Sequence, residues 1–176
     1  MIEISSQSAL PFQLSDLRDH CRVSDRAHDP SLRRCLNAAA SIVERWSGLF
    51  FRSTTVDAYF RGKPEPYRFQ YGPVTSVTSV TNTTDSYTIS SSSWELDKTT
   101  PWPTLRSTSD SVWSTDKAYA VRYVAGYSTV PDPLKVAVFE LAALHFENRE
   151  AAIPNRLNSL PFSIQSILQA YGPRGM

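Results

Sequence analysis

Four side chains near the start of the chain are of types that could hold a metal: His20, Cys21, His28 and Cys35. Structural zinc sites close four such ligands around the ion, usually from Cys-x-x-Cys or His-x-x-x-His pairs. Neither pairing occurs here, and Cys35 falls on the apolar face of an amphipathic segment. A buried structural cysteine with solvated histidines fits the pattern better, so no metal or cofactor is expected. The third histidine, His145, would need a nucleophile or carboxylate within hydrogen-bond reach to act as a general base. Its nearest candidates, Glu147 and Glu150, read as a solvated rim with Arg149. No Gly-x-Ser-x-Gly elbow, phosphate loop or dinucleotide fingerprint occurs, and six glycines leave little room for one. A small hydrolase built on His145 with Glu147 or Glu150 stays as one alternative.

Binding chemistry has two further candidates. Trp94, Trp102 and Trp113, set among serines and threonines, could form an exposed platform for a sugar or peptide, which makes a β-type ligand-binding module the other alternative. They equally suit the core of a thin β section poor in Leu and Ile, and that reading is preferred. Arg18, Arg22, Arg26, Arg33 and Arg34 lie close together in sequence, but Asp16, Asp19, Asp25 and Asp29 interleave with them. A solvated face or inter-subunit ion pairs suit that mixture better than nucleic-acid readout. The formal net charge is +1, so no global field draws the chain to DNA or to an anionic membrane. Arginine dominates the 18 basic residues, which favours fixed ion pairs at contacts.

The elements that position these residues can be read from period and capping. Hydrophobic content of 41% and charged content of 20% describe an ordinary folded chain, and 176 residues suit one domain, taken as 1–172. No uncharged apolar run is long enough to span a membrane, and the first residues lack a signal-peptide pattern, so synthesis in a cytosol is expected. Two cysteines make no disulfide framework, and the Asn82-Thr83-Thr84 sequon is taken as coincidence. Residues 1–14 read as an extended arm, followed by a short helix from Asp16 capped by Ser15. Asp29-Pro30 opens a longer helix to about Trp46, with Leu32, Cys35, Leu36, Ala39, Ile42, Val43 and Trp46 inward. Arg33, Arg34, Asn37, Ser41, Glu44 and Arg45 form its polar face, and Gly48 is its C-cap. From there the period changes to 2. More than half of residues 75–115 are Ser or Thr, and regularly spaced aromatics make that stretch short antiparallel strands with polar hairpins rather than disorder.

Residues 118–125 close the β section (about 49–126), and Asp132-Pro133 starts a helix to about Arg149. One side of it, Leu134, Ala137, Val138, Leu141, Leu144 and His145, is expected to face the core. The other side carries Val136, Phe139, Ala143 and Phe146 among Lys135, Glu140, Glu147 and Glu150. A helix apolar on two sides needs two partners, which points to assembly. A connector containing Pro154 leads to Leu160-Pro161 and a last, uncharged helix to about Tyr171. Such a short helix is marginal alone and needs a surface to dock on. The expected fold is α+β: a small helical bundle (about 14–48 and 131–150), an inserted antiparallel β section and a C-terminal docking helix (about 160–172).

Four phrases carry a resemblance: DPSLRRCLNAAASIVERWSG, PVTSVTSV, VRYVAGYSTVPDPLKVAVFELAALHFENREA and LPFSIQSILQAYG. Together the chain resembles the head–tail connector (adaptor, head-completion) proteins of long-tailed bacteriophages and related gene-transfer particles. That resemblance implies a structural virion protein of the head–tail interface, assembled in host cytoplasm, without catalytic residues or cofactor. About twelve copies would form a ring beneath the portal protein, extend the double-stranded DNA channel and receive a stopper or tail-completion protein. Leu160, Phe162, Ile164, Ile167, Leu168 and Tyr171 are then the expected portal-docking residues. Val136, Phe139, Glu140, Ala143, Phe146 and Arg149 are the expected subunit contacts. A ring suits a two-sided helix, and near-zero charge suits DNA that must slide past.

Overall fold

The computed structural model describes residues 1–62, 66–99, 102–108, 113–148 and 160–172. The chain divides into two compact units, residues 1–9 with 52–128 and residues 10–51 with 129–176. The first is β and the second helical, and the helical unit contains the C-terminal helix, which makes the fold α+β.

The β unit is built on a five-stranded antiparallel sheet. Its strands are β1 (Ile2–Gln7), β2 (Thr54–Arg61), β4 (Val74–Asn82), β5 (Tyr87–Ile89) and β8 (Ala118–Ala125), in the order β1-β2-β8-β4-β5. The first half of the N-terminal arm, Ile2–Gln7, is thus an edge strand paired with β2, and Leu14 at its end already belongs to the first helix. A second antiparallel sheet contains β3 (Tyr67–Arg68), β7 (Thr104–Ser107) and β6 (Trp94–Asp97). Among its described residues the Ser/Thr-rich section is therefore largely strand and hairpin, as its spaced aromatics suggested.

The phrase VTSVTSV at the start of β4 spaces its valines by three, which in a regular strand would send them to alternating faces. The structure resolves this with two bulges, at Val74/Ser76 and at Val77/Ser79. Each extra residue restores the parity, so Val74, Val77 and Val80 lie opposite Ala125, Tyr123 and Val121 on the inner face of β8. On the other side of β8, Thr54, Val56 and Ala58 of β2 meet Ala125, Tyr123 and Val121. Aromatic rings join the two sheets. Phe60 of β2 stacks on Tyr67 of β3 at 4.5 Å and meets Trp113 edge-on at 5.6 Å, while Phe69 packs on Tyr123 at 4.8 Å. Burial in this cluster pushes the Tyr67 phenol up to about 12 and raises Tyr123 as well.

Two details tie the section together. Asn82 is fully buried, and its Oδ1 accepts the backbone N–H of Thr84 and Asp85 at 3.0 Å, closing the β4–β5 turn. Its sequon is thus spent on a turn. Gly126, in the Ala-Gly-Tyr phrase after β8, has φ +133°. A Cβ there would lie 2.7 Å from the Arg52 carbonyl carbon and closer still to its oxygen. Only glycine lets the two backbones approach this closely.

On the opposite face of the sheet, Asp57 and Arg122 sit directly across β2 and β8. Arg122 Nε and Nη2 donate to the two Asp57 carboxylate oxygens at 2.7 and 3.0 Å, and Ser5 Oγ donates to the same carboxylate. The Arg122 guanidinium, with help from Ser5, holds the Asp57 carboxyl below its ordinary pKa. A depressed carboxylate pKa adds stability above the unfolded value of ~3.9 and loses it as pH falls through the folded value. Asp57→Asn is expected to destabilise the chain by about 1–2 kcal/mol at pH 7, since half of the Arg122 side chain is exposed and screened. Urea melts of both proteins between pH 7 and pH 3 check this, the gap between them narrowing only below about pH 4.

The helical unit contains α1 (Leu14–His20), α2 (Asp29–Ser47), α3 (Asp132–Glu147) and α4 (Phe162–Tyr171). Pro30 and Pro133 lie in the first turns of α2 and α3, and Gly48 ends α2 in the left-handed conformation (φ +68°), as expected of a C-cap. Neither Ser15 nor Asp132 caps its helix: Ser15 donates to Asp16, and Asp132 accepts from Lys135. The buried face of α2 comprises Leu32, Leu36, Ala39, Ala40, Val43, Glu44 and Ser47. Two expectations for α2 are corrected. Glu44 is buried because its Oε1 accepts the Phe51 N–H at 3.0 Å, fastening the chain that leaves the helix. Trp46 is 53% exposed, because the buried arc is centred on Leu36, Val43 and Ser47 and Trp46 lies beyond its margin. Leu134, Ala137, Val138, Leu141 and Ala142 form the core face of α3. Leu144, expected there, is 38% exposed, a turn beyond that face.

Candidate assembly surfaces

The groups that suggested chemistry are held in packing contacts. His20 lies against Phe139 at 6.1 Å and His28 meets Phe146 edge-on at 5.8 Å, both within the helical unit. Cys21 and Cys35 are not joined in a disulfide, and burial, then the nearby Glu147, pushes the Cys21 thiol up. A raised thiol pKa is the reverse of what a nucleophilic cysteine needs. Among the described residues no cluster of three or more His, Cys, Asp or Glu could hold a metal ion. His145 is half-buried, and its Nε2 has no hydrogen-bond partner among the described residues. Glu147 is exposed at the end of α3, while Arg149 and Glu150 fall outside the described residues.

The tryptophans form no exposed platform. Trp113 is buried against Phe60 and Tyr119, and Trp94 and Trp102 are half-buried. Trp102 rests on Gly72, where an added Cβ would come within 2.7 Å of its ring. Of the interleaved charges, Arg18 pairs with Asp29 at 3.4 Å inside the same chain.

The outer side of α3 has two parts. Phe139 packs edge-on to Phe12 at 5.9 Å as well as on His20, and Phe146 is met by His28, so the chain itself half-buries both rings. Ala143 between them is half-buried too. Val136 is 43% exposed, and Glu140 and Leu144 follow it at four-residue steps. This second row stays open, with Ser163 Oγ of α4 donating to Glu140 Oε2 at 3.5 Å.

The C-terminal helix is likewise two-sided. Leu160, Ile164 and Leu168 are buried in packing on α3 and α2, so these three of the expected portal-docking residues seat the helix on its own chain. Ile167 and Tyr171 are half-buried, and Phe162 is 86% exposed at the first helical position. The remaining outward residues, Ser163, Ser166, Gln169 and Ala170, carry no charge. Missed from sequence were the exposure of Trp46 and Leu144. Their one available signal was their place at the margin of the apolar arc.

A helical unit with uncharged or apolar residues left outward and a β unit with a closed aromatic core define a structural building block rather than a reaction centre. Over residues 12–172 the chain matches the Head completion protein family, and it belongs to that structural family. The fold is shared with chains of gene transfer agent (GTA) particles. One belongs to a structure described as "Virion of native gene transfer agent (GTA) particle", with TM-score 0.78, 19% identity and coverage of 100% of this chain and 97% of that one. A chain in "Neck of empty GTA particle computed with C6 symmetry" gives TM-score 0.78, 19% identity and the same coverage. A chain in "Neck of native GTA particle computed with C12 symmetry" gives TM-score 0.72 and 18% identity, covering 99% and 97%. No curated protein matches the chain.

Proposed function

We propose that this head completion protein forms a ring, of about twelve copies, in the neck of a phage-like particle. The ring sits beneath the portal protein, extends the channel for double-stranded DNA and offers its far side to a stopper or tail-completion protein. The supporting observation is full-length likeness, at TM-score 0.72, to a chain of a neck computed with twelve-fold symmetry. The portal contact falls to the outward part of α4, led by Phe162 and flanked by Ile167 and Tyr171. Leu160, Ile164 and Leu168 hold the helix in place for it. A net charge of +1 suits a conduit, because retention of DNA rests on accumulated Lys and Arg phosphate contacts.

The test is the mass of the complex formed when the purified chain meets a portal oligomer from the same source. A gain of about twelve chain masses is the expected result. A portal oligomer whose mass does not change overturns the reading.

A further inference from the structure

We propose that neighbouring copies in the ring meet through two different ridges of the helical unit. These are Arg34–Ala38–Ile42–Trp46 on α2 of one copy and Val136–Glu140–Leu144 on α3 of the next. The assignment rests on the ring reading above and adds the surfaces that make it.

Both ridges are rows of residues four apart, the rows that interlock when two helices pack ridge into groove. Both are open in the single chain. Trp46 is 53% exposed, Val136 43% and Leu144 38%, while Arg34 and Ala38 are exposed and Ile42 and Glu140 half-buried. An exposed tryptophan on a rigid helix is the residue type most often found as an interface anchor.

The charges on the two ridges are opposite. Arg34 heads the first, with Arg45 beside Trp46; Glu140 is the middle of the second, with Glu147 one turn beyond Ala143. Among the described residues Arg34 donates only within its own helix, to Ser31 Oγ at 3.1 Å. Among the described residues, none of these four side chains forms an ion pair. Pairing ridge with like ridge would set Arg against Arg and Glu against Glu. Pairing unlike ridges sets each arginine near a glutamate, which selects a head-to-tail contact over a two-fold one.

The ridges also lie on different flanks of the α2–α3 pair. α1 covers the Phe139 flank of α3 through His20, and its end lies near Cys35 of α2 and near Glu147 at the end of α3. α4 stands on the Glu140 flank through Ser163. A contact that repeats around a ring needs two such separated and dissimilar patches. Phe139 and Phe146 do not supply one, since the chain already packs them against Phe12, His20 and His28.

The experiment is a charge exchange read as ring mass on the portal oligomer. Arg34→Glu with Arg45→Glu, and separately Glu140→Arg with Glu147→Arg, are each expected to raise the protein concentration needed for ring assembly at least tenfold. The chain carrying all four changes is expected to recover most of that loss, because the ridges are complementary again. Trp46→Ala is expected to weaken assembly at least tenfold while its thermal melt stays with the wild type. The assignment is overturned if either reversed pair, or Trp46→Ala, assembles like the wild type. It is also overturned if the fourfold variant folds but does not recover. A wild-type chain that forms no ring overturns the ring reading itself, and this contact with it.

Discussion

Gly126→Ala is expected to remove more than about 3 kcal/mol of stability, a large share of the ~5–15 kcal/mol that holds a typical domain folded. Two penalties coincide at this position. The backbone stands at φ +133°, where an L side chain is strained, and the new Cβ would overlap the Arg52 carbonyl and press on Ser53 Cα at 3.1 Å. Neither obstacle is a flexible side chain that could swing aside. The glycine N–H also donates to the Pro73 carbonyl at 2.9 Å, so a shift that relieves the overlap breaks this link between β8 and the start of β4. Gly62→Ala is the matched control, with φ +93° but its nearest neighbour, the Thr115 carbonyl oxygen, 3.7 Å away. It should lose only about 1 kcal/mol. Urea unfolding of the two variants measures the difference. Equal losses would show that the close approach to Arg52 contributes nothing.

Phe162→Asp is expected to weaken portal binding at least 100-fold and to leave the melting temperature within about 2 °C of the wild type. Moving an exposed phenylalanine into a partner's apolar site contributes about 1.5–3 kcal/mol, and burying a carboxylate in its place adds a further penalty. The fold does not need this side chain, which is 86% exposed. Leu168→Ala makes the opposite case. Its side chain is 2% exposed, and its truncation should destabilise the chain by about 2–4 kcal/mol. Binding affinity and thermal melts for the two variants separate the contact surface of α4 from its seat. A Phe162→Asp chain that still binds with wild-type affinity would remove this helix from the portal contact. Truncation of the chain before Leu160 is a poorer test, since it also strips Ile164 and Leu168 from the core.

Features governed by local rules were legible in the sequence. Gly48 and the first-turn prolines mark helix ends through backbone geometry alone, and the apolar rows of α2 and α3 follow from a period of 3.6. The Leu134–Leu141 stripe was the right one to assign to the core. What escaped detection depends on partners far away in sequence. Glu44 looks like a surface residue until the Phe51 N–H is placed against it. Trp46 continues the apolar row of α2, and only the limits of its packing partners leave it outside. The two sides of α3 were visible as a surplus of apolar residues, but the division of that surplus was not. Half of it is covered by Phe12, His20 and His28, from a segment whose own pattern gives no sign of where it folds back. The same holds for α4, where an apolar stripe reads equally as a seat or as a contact surface, and the structure divides it residue by residue.

The two bulges of β4 give the Val-Thr-Ser repeat a further property. Each triplet of β4 spans one two-residue step of β8, so the natural increment of length in this strand is three residues rather than two. Gain or loss of a whole triplet would move the hairpin that follows by one step along its neighbour and still aim every valine inward. A change of one residue with both bulges kept would turn the hydroxyls in and the valines out. The repeat is thus a ratchet for hairpin reach, through which related chains can lengthen or shorten what projects from the sheet without rewriting its core.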